Sequence, residues 1–326
     1  MVEAMDISGN PSSVHGEGRT AKALIERARA QVAAALGAEG ADVIFTSGAT
    51  EAAALACAGR VLSGSAMEHD AVRAWITEDL SVAVSGAVTV PEPGQSAVQL
   101  ANSETGLVQR LPEGLAVSDM TQAFGKIPVA FNWSGAKMAL VSAHKLGGPK
   151  GIGALVVRRG AEVAAQIRGG GQEMGRRSGT ENIIGIAGFG AAAEAAARDL
   201  DSGVWARVEK LRNILEKTIA DISKETIFVG YEAERLPNTT CMLTPGWKGE
   251  TQVMAMDLAG FAISAGSACS SGKVKASNVL LAMGFDAAAA ASAIRVSLGP
   301  ETTQDDVMRF ADAWHARAKK HRARAA

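Results

Sequence analysis

Short apolar segments alternate with helical or polar segments along most of this chain. Asp42–Phe45 has the composition of a buried strand, the small-residue turn Thr46–Thr50 follows it, and Glu51–Ala58 has the composition of a helix. Such alternation is typical of a mostly parallel sheet that is covered by helices on both faces. The sequence therefore predicts an α/β fold. Further strands are predicted at Ala97–Ala101, Ala116–Ser118, Met138–Ser142 and Ile152–Val157.

A second, smaller domain is expected in the C-terminal part of the chain. Long helices are predicted around Ala191–Arg198 and over Trp205–Ile222, and we place the domain boundary near them. Residues 8–200 then form a large domain and residues 201–326 a smaller α+β domain, with which residues 1–7 are expected to pack. Other predicted elements are helices Arg19–Leu36, Ser277–Met283 and Gln304–Lys320, and strands Ile227–Val229, Thr240–Leu243 and Phe261–Ser264.

Composition excludes several classes of protein. The 326 residues are 47% hydrophobic, which is typical of a globular chain with a substantial core. The net charge is −1, so a nucleic-acid surface or a basic membrane-binding face is not expected. No apolar run has the length of a membrane span, and the first residues lack the basic-then-apolar pattern of a secretion signal.

The three cysteines favour a reducing compartment. An odd and sparse count argues against a disulfide framework, and no pair has the spacing of metal ligands, so no metal site is expected. We therefore expect a cytoplasmic protein. Cys57 lies in an alanine-rich helical segment and Cys241 in a strand-like one, and both are predicted to be buried.

A lysine in a segment of small residues is the first candidate for chemistry. The stretch Ser142-Ala-His-Lys145-Leu-Gly-Gly-Pro-Lys-Gly151 lets a bulky group approach the backbone closely. A lysine that loses its hydration there becomes a nucleophile, as a Schiff base with an aldehyde cofactor requires. The alternative is a surface lysine in a Gly-Pro loop.

A cysteine among serines and glycines is the second candidate. The stretch Ser264-Ala-Gly-Ser-Ala-Cys269-Ser-Ser-Gly272 lacks the apolar neighbours of a structural cysteine. Such surroundings favour an accessible, reactive thiol.

The turn Thr46-Ser47-Gly48-Ala49-Thr50 is the third candidate. The start of a helix offers unpaired N–H groups and positive potential to an anion, and small residues let a phosphate reach them. The alternative is an ordinary helix cap.

These segments together resemble the motifs of the Isc/Nif-type (group I) cysteine desulfurases of the class V aminotransferase family. The resemblance covers nearly the whole chain, from Gly9–His15 to Ser292–Gly299. It implies the fold type I of pyridoxal 5′-phosphate (PLP) dependent transferases, with a mainly parallel sheet in the large domain. The small domain would carry the loop of the catalytic cysteine.

The resemblance also implies a role for each candidate residue. Lys145 would carry PLP, and His69 would stack on the cofactor ring and move protons. Asp119 would pair with the pyridine nitrogen, which makes the ring an electron sink. Arg295 would bind the substrate carboxylate through a two-pronged bond, and Cys269 would take up the sulfur. The remaining cofactor contacts are expected from Ala49, Thr50, Ser103, Gln122, Ser142, His144 and, across a homodimer interface, Thr180.

The reaction implied by this resemblance converts L-cysteine to L-alanine. Lys145 would take the Cα proton of the substrate, and Cys269 would become a persulfide. The sulfur would then pass to an acceptor or scaffold protein, for iron–sulfur cluster assembly or thiolation.

Three candidates have ordinary alternatives when each is taken alone. Asp119 can be a helix cap, His69 a structural histidine, and the pair Arg176-Arg177 before Thr180 a surface charge pair.

The chain departs from the family's pattern at Ser103, before Gly9 and over the stretch from Gly59 to Leu115, which is compressed. Ser103 stands where the family has a second asparagine, which weakens one expected cofactor contact, and fewer residues precede Gly9 than in the family. Two other functions therefore stay open at this point. One is a related PLP-dependent lyase or aminotransferase, and the other is a reduced, non-catalytic paralogue that acts as a binding partner.

Overall fold

A computed structural model of the protein describes residues 1–266 and 276–325, which fall into two compact units. The first unit comprises residues 1–80, 90–100 and 109–202, and the second comprises residues 81–89, 101–108 and 203 onward. The helices are α1 (Val2–Met5), α2 (Gly16–Ala35), α3 (Ala49–Cys57), α4 (Asp70–Arg73), α5 (Ile183–Asp201), α6 (Val204–Ile222), α7 (Gly249–Asp257), α8 (Asn278–Ala282), α9 (Ala287–Ala291) and α10 (Gln304–Ala325). The strands are β1 (Asp42–Thr46), β2 (Ser63–Gly64), β3 (Thr77–Glu78), β4 (Val117–Asp119), β5 (Met138–Ser142), β6 (Gly153–Val157), β7 (Ile227–Phe228), β8 (Thr239–Leu243), β9 (Ser264–Ala265) and β10 (Ala293–Ser297).

The sheet of the first unit is mainly parallel, as predicted. Its order is β1-β6-β5-β4, and β4 pairs with β5 in parallel. Parallel bridges join Val117 to Ala97 and Ser96 to Ser63, and β2 pairs with β3 in parallel. Strand β6 is antiparallel to both of its neighbours, β1 and β5. Among the described strands of this unit, β6 alone therefore runs against the common direction.

Both faces of this sheet are buried, because successive side chains of a strand point to opposite faces. In β5, Ala139 and Val141 belong to one apolar cluster, while Met138 and Leu140 belong to another. The first cluster includes residues of α2 and α5, and the second includes residues of α3 and α4. This arrangement is the two-sided helical cover that the alternating sequence pattern predicts.

Helix α5 begins earlier than the sequence indicates, at Ile183 rather than near Ala191. Asn182 caps it by accepting a hydrogen bond from the Gly185 N–H at 3.0 Å. Glycines in its first half disfavour a helix by propensity, and they hid this start from the sequence pattern. They serve packing instead, since a Cβ on Gly190 would lie 2.7 Å from Cα of Ala28 in α2.

The second unit has an antiparallel sheet of order β7-β8-β10-β9. Its apolar cluster includes Met242 and Ile294 from the sheet, Leu215 from α6, Met256 from α7 and Trp314 from α10. An antiparallel sheet covered in this way is the α+β arrangement expected for the C-terminal part of the chain.

The division into units differs from the predicted domain boundaries in two places. Residues 81–89 and 101–108 belong to the second unit, although the prediction gave them to the large domain. Helix α1 packs on α5 in the first unit, whereas residues 1–7 were expected beside the small domain. The reason is steric, because Gly188 of α5 leaves room for Met1 and a Cβ there would lie 2.8 Å from its Cγ.

Within residues 1–266 and 276–325, no helix combines the length and the apolar composition needed to cross a lipid bilayer.

Candidate active site

The turn between β1 and α3 forms one part of the candidate site. Gly48 precedes α3, and no side chain among the described residues caps the helix there. The Thr46 hydroxyl donates to the Gly48 carbonyl at 2.9 Å, which holds the turn. A Cβ atom added to Gly48 would lie 4.0 Å from Ser142 Oγ, so the Ser142 hydroxyl is close to this turn. The first N–H groups of α3 and a serine hydroxyl therefore lie together, which suits an anion such as a phosphate.

An ion pair fixes the first turn of α3. Glu51 accepts the Ser47 N–H at 2.8 Å and the Nε–H of Arg177 at 2.8 Å. Burial opposes the charge of Glu51, but the hydrogen bonds from Arg177 and Ser47 outweigh it and lower the pKa of the carboxyl. Arg176 pairs with Asp42 at 2.8 Å. Both arginines therefore have carboxylate partners within the chain, and the sequence did not indicate either partner.

Lys145 lies in the short turn after the carboxyl end of β5. It ends the short 3₁₀ turn Ala143–Lys145, and Gly147 then adopts a left-handed conformation with φ of +87°. The Ala143 N–H donates to the Ile152 carbonyl at 3.1 Å and closes the base of the loop. Lys145 is exposed in the single chain. The predicted nucleophile thus stands on a closed loop at one edge of the sheet.

His144 and Ser142 form a polar pair beside this lysine. Ser142 Oγ lies 2.8 Å from His144 Nδ1, and the serine is buried while the histidine is exposed. Burial and then the positive charges of Lys145, Lys150 and Lys126 lower the pKa of His144. Three lysines around one neutral histidine create a positive potential, which favours an anionic group at this place.

Asp119 ends β4, the parallel neighbour of β5. Its Oδ1 accepts the Thr121 N–H at 2.9 Å, and the side chain is half-buried. Gln122, half-buried, follows in the same turn, and its backbone carbonyl accepts a hydrogen bond from Lys126 Nζ at 2.8 Å. The carboxyl ends of neighbouring parallel strands lie at the same edge of a sheet, which is where open α/β folds bind ligands. The structure therefore brings Asp119 to the edge that carries Lys145.

His69 follows β2 at the same edge and is half-buried. It precedes α4, and its Nδ1 accepts the Ala71 N–H at 3.1 Å. That bond leaves Nε2 as the nitrogen that carries the proton of the neutral ring. The two residues before His69, Met67 and Glu68, are buried. Sequence reasoning singled out His69 but missed Glu68, whose only signal was its place beside that histidine.

Arg295 and Ser103 belong to the second unit. Arg295 Nη1 donates to the Ser103 backbone carbonyl at 2.8 Å, and Nη2 donates to Ser264 Oγ at 2.9 Å. Two fixed acceptors hold the guanidinium on strand β10. Ser103 thus holds Arg295 through its backbone carbonyl, a contact that the resemblance to the family did not indicate. The contact between Ser264 and Arg295 was not predicted from the sequence either.

Thr50 and Thr180 are exposed in the single chain, and Ala49 is half-buried at the start of α3. Cys269 lies outside the described residues. The other two cysteines are buried, as predicted. Burial raises the pKa of Cys57 to about 12 and also raises the pKa of Cys241. Neither thiol therefore has the properties of a nucleophile. The described residues contain no cluster of three or more His, Cys, Asp or Glu side chains suited to a metal ion.

Comparisons with known proteins identify the family. The aminotransferase class-V family model matches residues 2–78 and 93–310. The cysteine desulfurase of Frankia sp. (strain EuIK1) is 39% identical, over 93% of this chain and 83% of that protein. Cysteine desulfurase IscS 1 of Archaeoglobus fulgidus is 35% identical, over 93% of this chain and 87% of that protein. The chain belongs to the cysteine desulfurases of the class V aminotransferase family.

Two solved structures are similar to this chain over most of its length. The NifS-like protein of Rickettsia africae ESF-5 superposes with a TM-score of 0.88 at 31% identity, over 98% of this chain and 94% of that one. The structure described as SspA in complex with cysteine superposes with a TM-score of 0.74 at 27% identity, over 93% and 95% of the two chains. The fold type I class expected from the motifs is thereby confirmed.

Desulfurases of this family depend on PLP, and the residues at the sheet edge fit that cofactor. The uncapped start of α3, the Ser142 hydroxyl and the surrounding lysines suit its phosphate. Asp119 supplies a carboxylate for a protonated ring nitrogen, and Lys145 supplies an amine for its aldehyde.

Proposed function

We propose that this chain uses PLP to remove sulfur from L-cysteine and that Cys269 receives the sulfur. The observation that carries the proposal is the sharing of one sheet edge by four groups. These groups are the open turn before α3, the Ser142–His144 pair, Lys145 after β5 and Asp119 at the end of β4. Anion site, amine and carboxylate are the three contacts that a phosphorylated pyridine aldehyde needs.

Each of these residues has a distinct task in the proposed reaction. The N–H groups of Ala49 and Thr50, with Ser142 and His144, bind the phosphate. Lys145 would hold the cofactor through its amine and would serve as the base for the Cα proton of the substrate. Asp119 would keep the ring nitrogen protonated, His69 would contact the ring, and Gln122 would bind its hydroxyl. The cofactor supplies an electron sink for the charge that develops at Cα.

Arg295 binds the carboxylate of the substrate in this proposal. Its two Nη atoms already donate to Ser103 and Ser264, so the guanidinium is oriented before the substrate arrives. A planar, permanently charged group is the best match for a carboxylate. The cysteine complex of SspA, a structural relative, supports cysteine as the substrate.

Sulfur transfer requires a thiolate at Cys269. The Cys269 sulfur attacks the sulfur of the substrate, and a sulfur–sulfur bond forms as the carbon–sulfur bond breaks. The electron pair of the broken bond stays on carbon, which takes a proton and becomes the methyl group of alanine. The persulfide on Cys269 then passes its outer sulfur to an acceptor or scaffold protein, for iron–sulfur cluster assembly or thiolation.

The proposed assembly is a homodimer in a reducing, cytoplasmic setting. Thr180 is exposed in the single chain and follows the Arg177 that pairs with Glu51. In the proposed dimer, Thr180 of one subunit reaches the cofactor phosphate of the other. The first unit then serves as the cofactor-binding domain, and the second carries Arg295 and the segment with Cys269.

The test measures alanine and sulfide release from L-cysteine by the PLP-loaded protein in the presence of a dithiol. Lys145→Ala is expected to lower turnover roughly 1,000-fold or more, because no other amine replaces it. Lys137→Ala is the matched control, since Lys137 is exposed and lies just before the amino end of the same strand, β5.

Cys269→Ala should abolish persulfide formation and sulfide release while the visible absorbance of the bound cofactor remains. Cys57→Ala is its control, because that thiol is buried. Unchanged sulfide release from Cys269→Ala would overturn the sulfur relay. A wild-type protein that binds no PLP would overturn the proposal as a whole and favour a non-catalytic paralogue.

A further inference from the structure

Glu68 is a buried carboxyl group for which the proposed reaction has no task. It is 3% exposed and lies directly before His69. Its Oε1 accepts the Gln99 N–H at 3.1 Å, and its Oε2 has no hydrogen-bond partner within the described part of the chain. A buried carboxylate that lacks a cation is unfavourable and tends to stay protonated.

Gln99 makes a second bond to the same segment. Its Nε2 donates to the Met67 carbonyl at 2.7 Å, so Gln99 holds both Met67 and Glu68. We call this pair of bonds the Gln99 clamp. The clamp fixes the two residues that precede His69. It therefore sets the position of the His69 backbone, from which the imidazole projects.

The neighbour of Gln99 holds Asp119. The Leu100 N–H donates to the Asp119 carbonyl at 2.8 Å. Successive N–H groups of an extended segment point in opposite directions. Residues 99 and 100 therefore hold the His69 segment on one side and the end of β4 on the other. A shift at Glu68 moves both residues that the proposed function places on the cofactor ring.

The charge around Glu68 favours its neutral form. Burial, with the negative charge of Asp119, raises the pKa of Glu68 to about 8, although hydrogen bonds from the Gln99 N–H and the Ser65 hydroxyl favour the ionised form. Asp119 faces it from the end of β4, and His69 and Asp70 follow it on its own segment. No lysine or arginine within the described residues forms an ion pair with it. At neutral pH, the Asp119 carboxylate therefore has a neutral acid beside it.

We infer that Glu68 is a positioning residue for the cofactor ring. Its protonated carboxyl accepts the Gln99 N–H in the clamp, holds the His69 segment relative to Asp119, and adds no second buried negative charge near the Asp119 carboxylate. Ionisation of Glu68 places an uncompensated charge in a buried site near Asp119 and draws water toward it, which disturbs the packing of the His69 segment. The inference rests on the proposed function only for the identity of the ring.

The first experiment uses the cofactor-free protein and is independent of the proposed function. Thermal unfolding is followed from pH 5 to pH 9 for wild type, Glu68→Gln and Glu39→Gln, an exposed control. The folded pKa of Glu68 lies above its unfolded value, so the folded state binds more protons between the two values. Its stabilising effect is complete at low pH and is lost as the pH rises toward 8. The melting temperature of Glu68→Gln should fall less over this range than that of wild type and Glu39→Gln.

The second experiment measures PLP dissociation constants by absorbance at pH 7 and at pH 9. Glu68→Ala removes the acceptor of the Gln99 N–H, and we expect roughly 10-fold weaker binding at both pH values. Glu68→Gln keeps an oxygen acceptor and cannot ionise, so its dissociation constant should resemble that of wild type at pH 7 and change less at pH 9.

Two results would overturn the inference. One is an identical pH dependence of melting for wild type and Glu68→Gln, since Glu68 would then not be a neutral acid. The other is wild-type PLP affinity in Glu68→Ala, since the clamp would then not position the ring contacts. A wild-type protein that binds no PLP would refute the proposed function, while the melting experiment would still test the charge state of Glu68.

Discussion

The two ends of the candidate site carry opposite charge. At the end of β5, His144 is surrounded by Lys145, Lys150 and Lys126. At the other end, across β4, Glu68 lies near Asp119. Burial and like charges lower the pKa of His144 at the first end and raise the pKa of Glu68 at the second. At the first end the lysines carry the charge and His144 is neutral. At the second end Asp119 carries the charge and Glu68 is neutral.

This polarity matches a ligand that is negative at one end and positive at the other. A phosphate binds at the lysine end, and a protonated pyridine nitrogen binds at the carboxylate end. The separation also orients the ligand, because a reversed pose would place like charges together. The comparison teaches that orientation at this sheet edge depends on charge distribution as well as on shape.

Loss of the negative charge of Asp119, at the carboxylate end, should have the largest effect on turnover among the changes considered next. Asp119→Asn keeps an oxygen that accepts the Thr121 N–H, so the turn and the melting temperature should change little. The loss of the negative charge should lower turnover of L-cysteine on the order of 100-fold. Steady-state kinetics check the first expectation and thermal unfolding the second.

Asp70→Asn, an exposed carboxylate beside His69, is the matched control and should retain wild-type turnover. Equal turnover in Asp119→Asn and wild type would show that the carboxylate end plays no part in catalysis.

A shift of the turn before α3, which belongs to the lysine end of the site, should have an intermediate effect on cofactor binding. A Cβ on Gly153 would lie 2.6 Å from the Val141 carbonyl and 2.8 Å from Cα of Gly48, and backbone atoms cannot move aside alone. Gly153→Ala should therefore lower the free energy of unfolding by about 1–3 kcal/mol and weaken PLP binding. Denaturant unfolding and absorbance titration with PLP measure the two effects.

Gly16→Ala provides the reference for this change, because no atom lies within 4 Å of the added Cβ. If Gly153→Ala were as stable as Gly16→Ala and bound PLP as well, close packing under the turn would not matter.

The smallest effect should come from the neutral histidine of the lysine end. The folded pKa of His144 lies below its ordinary value, so the folded state binds fewer protons than the unfolded state in that window. Its stabilising effect is complete above the ordinary pKa and is lost as the pH falls. For the cofactor-free protein, the melting temperature of His144→Gln should therefore drop less than that of wild type between pH 7 and pH 5.

His315→Gln, on α10 of the second unit, should follow the wild-type profile. A steeper drop in His144→Gln than in wild type would reverse the sign and show that the protonated ring is preferred.

The sequence predicts the parts of this site that depend on where strands end. Asp119 and Lys145 follow apolar runs, and parallel strands bring such positions to one edge. The apolar runs themselves are long enough to be recognised by pattern, so most elements were placed within a few residues.

The parts that escaped prediction depend on contacts between distant segments. The raised pKa of Glu68 follows from burial behind Gln99, 31 residues away. The bond from Arg295 to the Ser103 carbonyl uses a backbone atom, which no side-chain pattern can indicate. The early start of α5 was hidden by glycines whose value lies in close packing on α2.

The reversed direction of β6 has a consequence for how the site forms during folding. Strands β5 and β6 are joined by only the loop that carries Lys145, and their ladder places Gly153 opposite Ser142. This hairpin is a local pairing, whereas parallel neighbours need long crossovers before they can meet. We therefore expect the lysine loop to be closed early on the folding pathway, so that the remaining ligand contacts assemble around an attachment point that already exists.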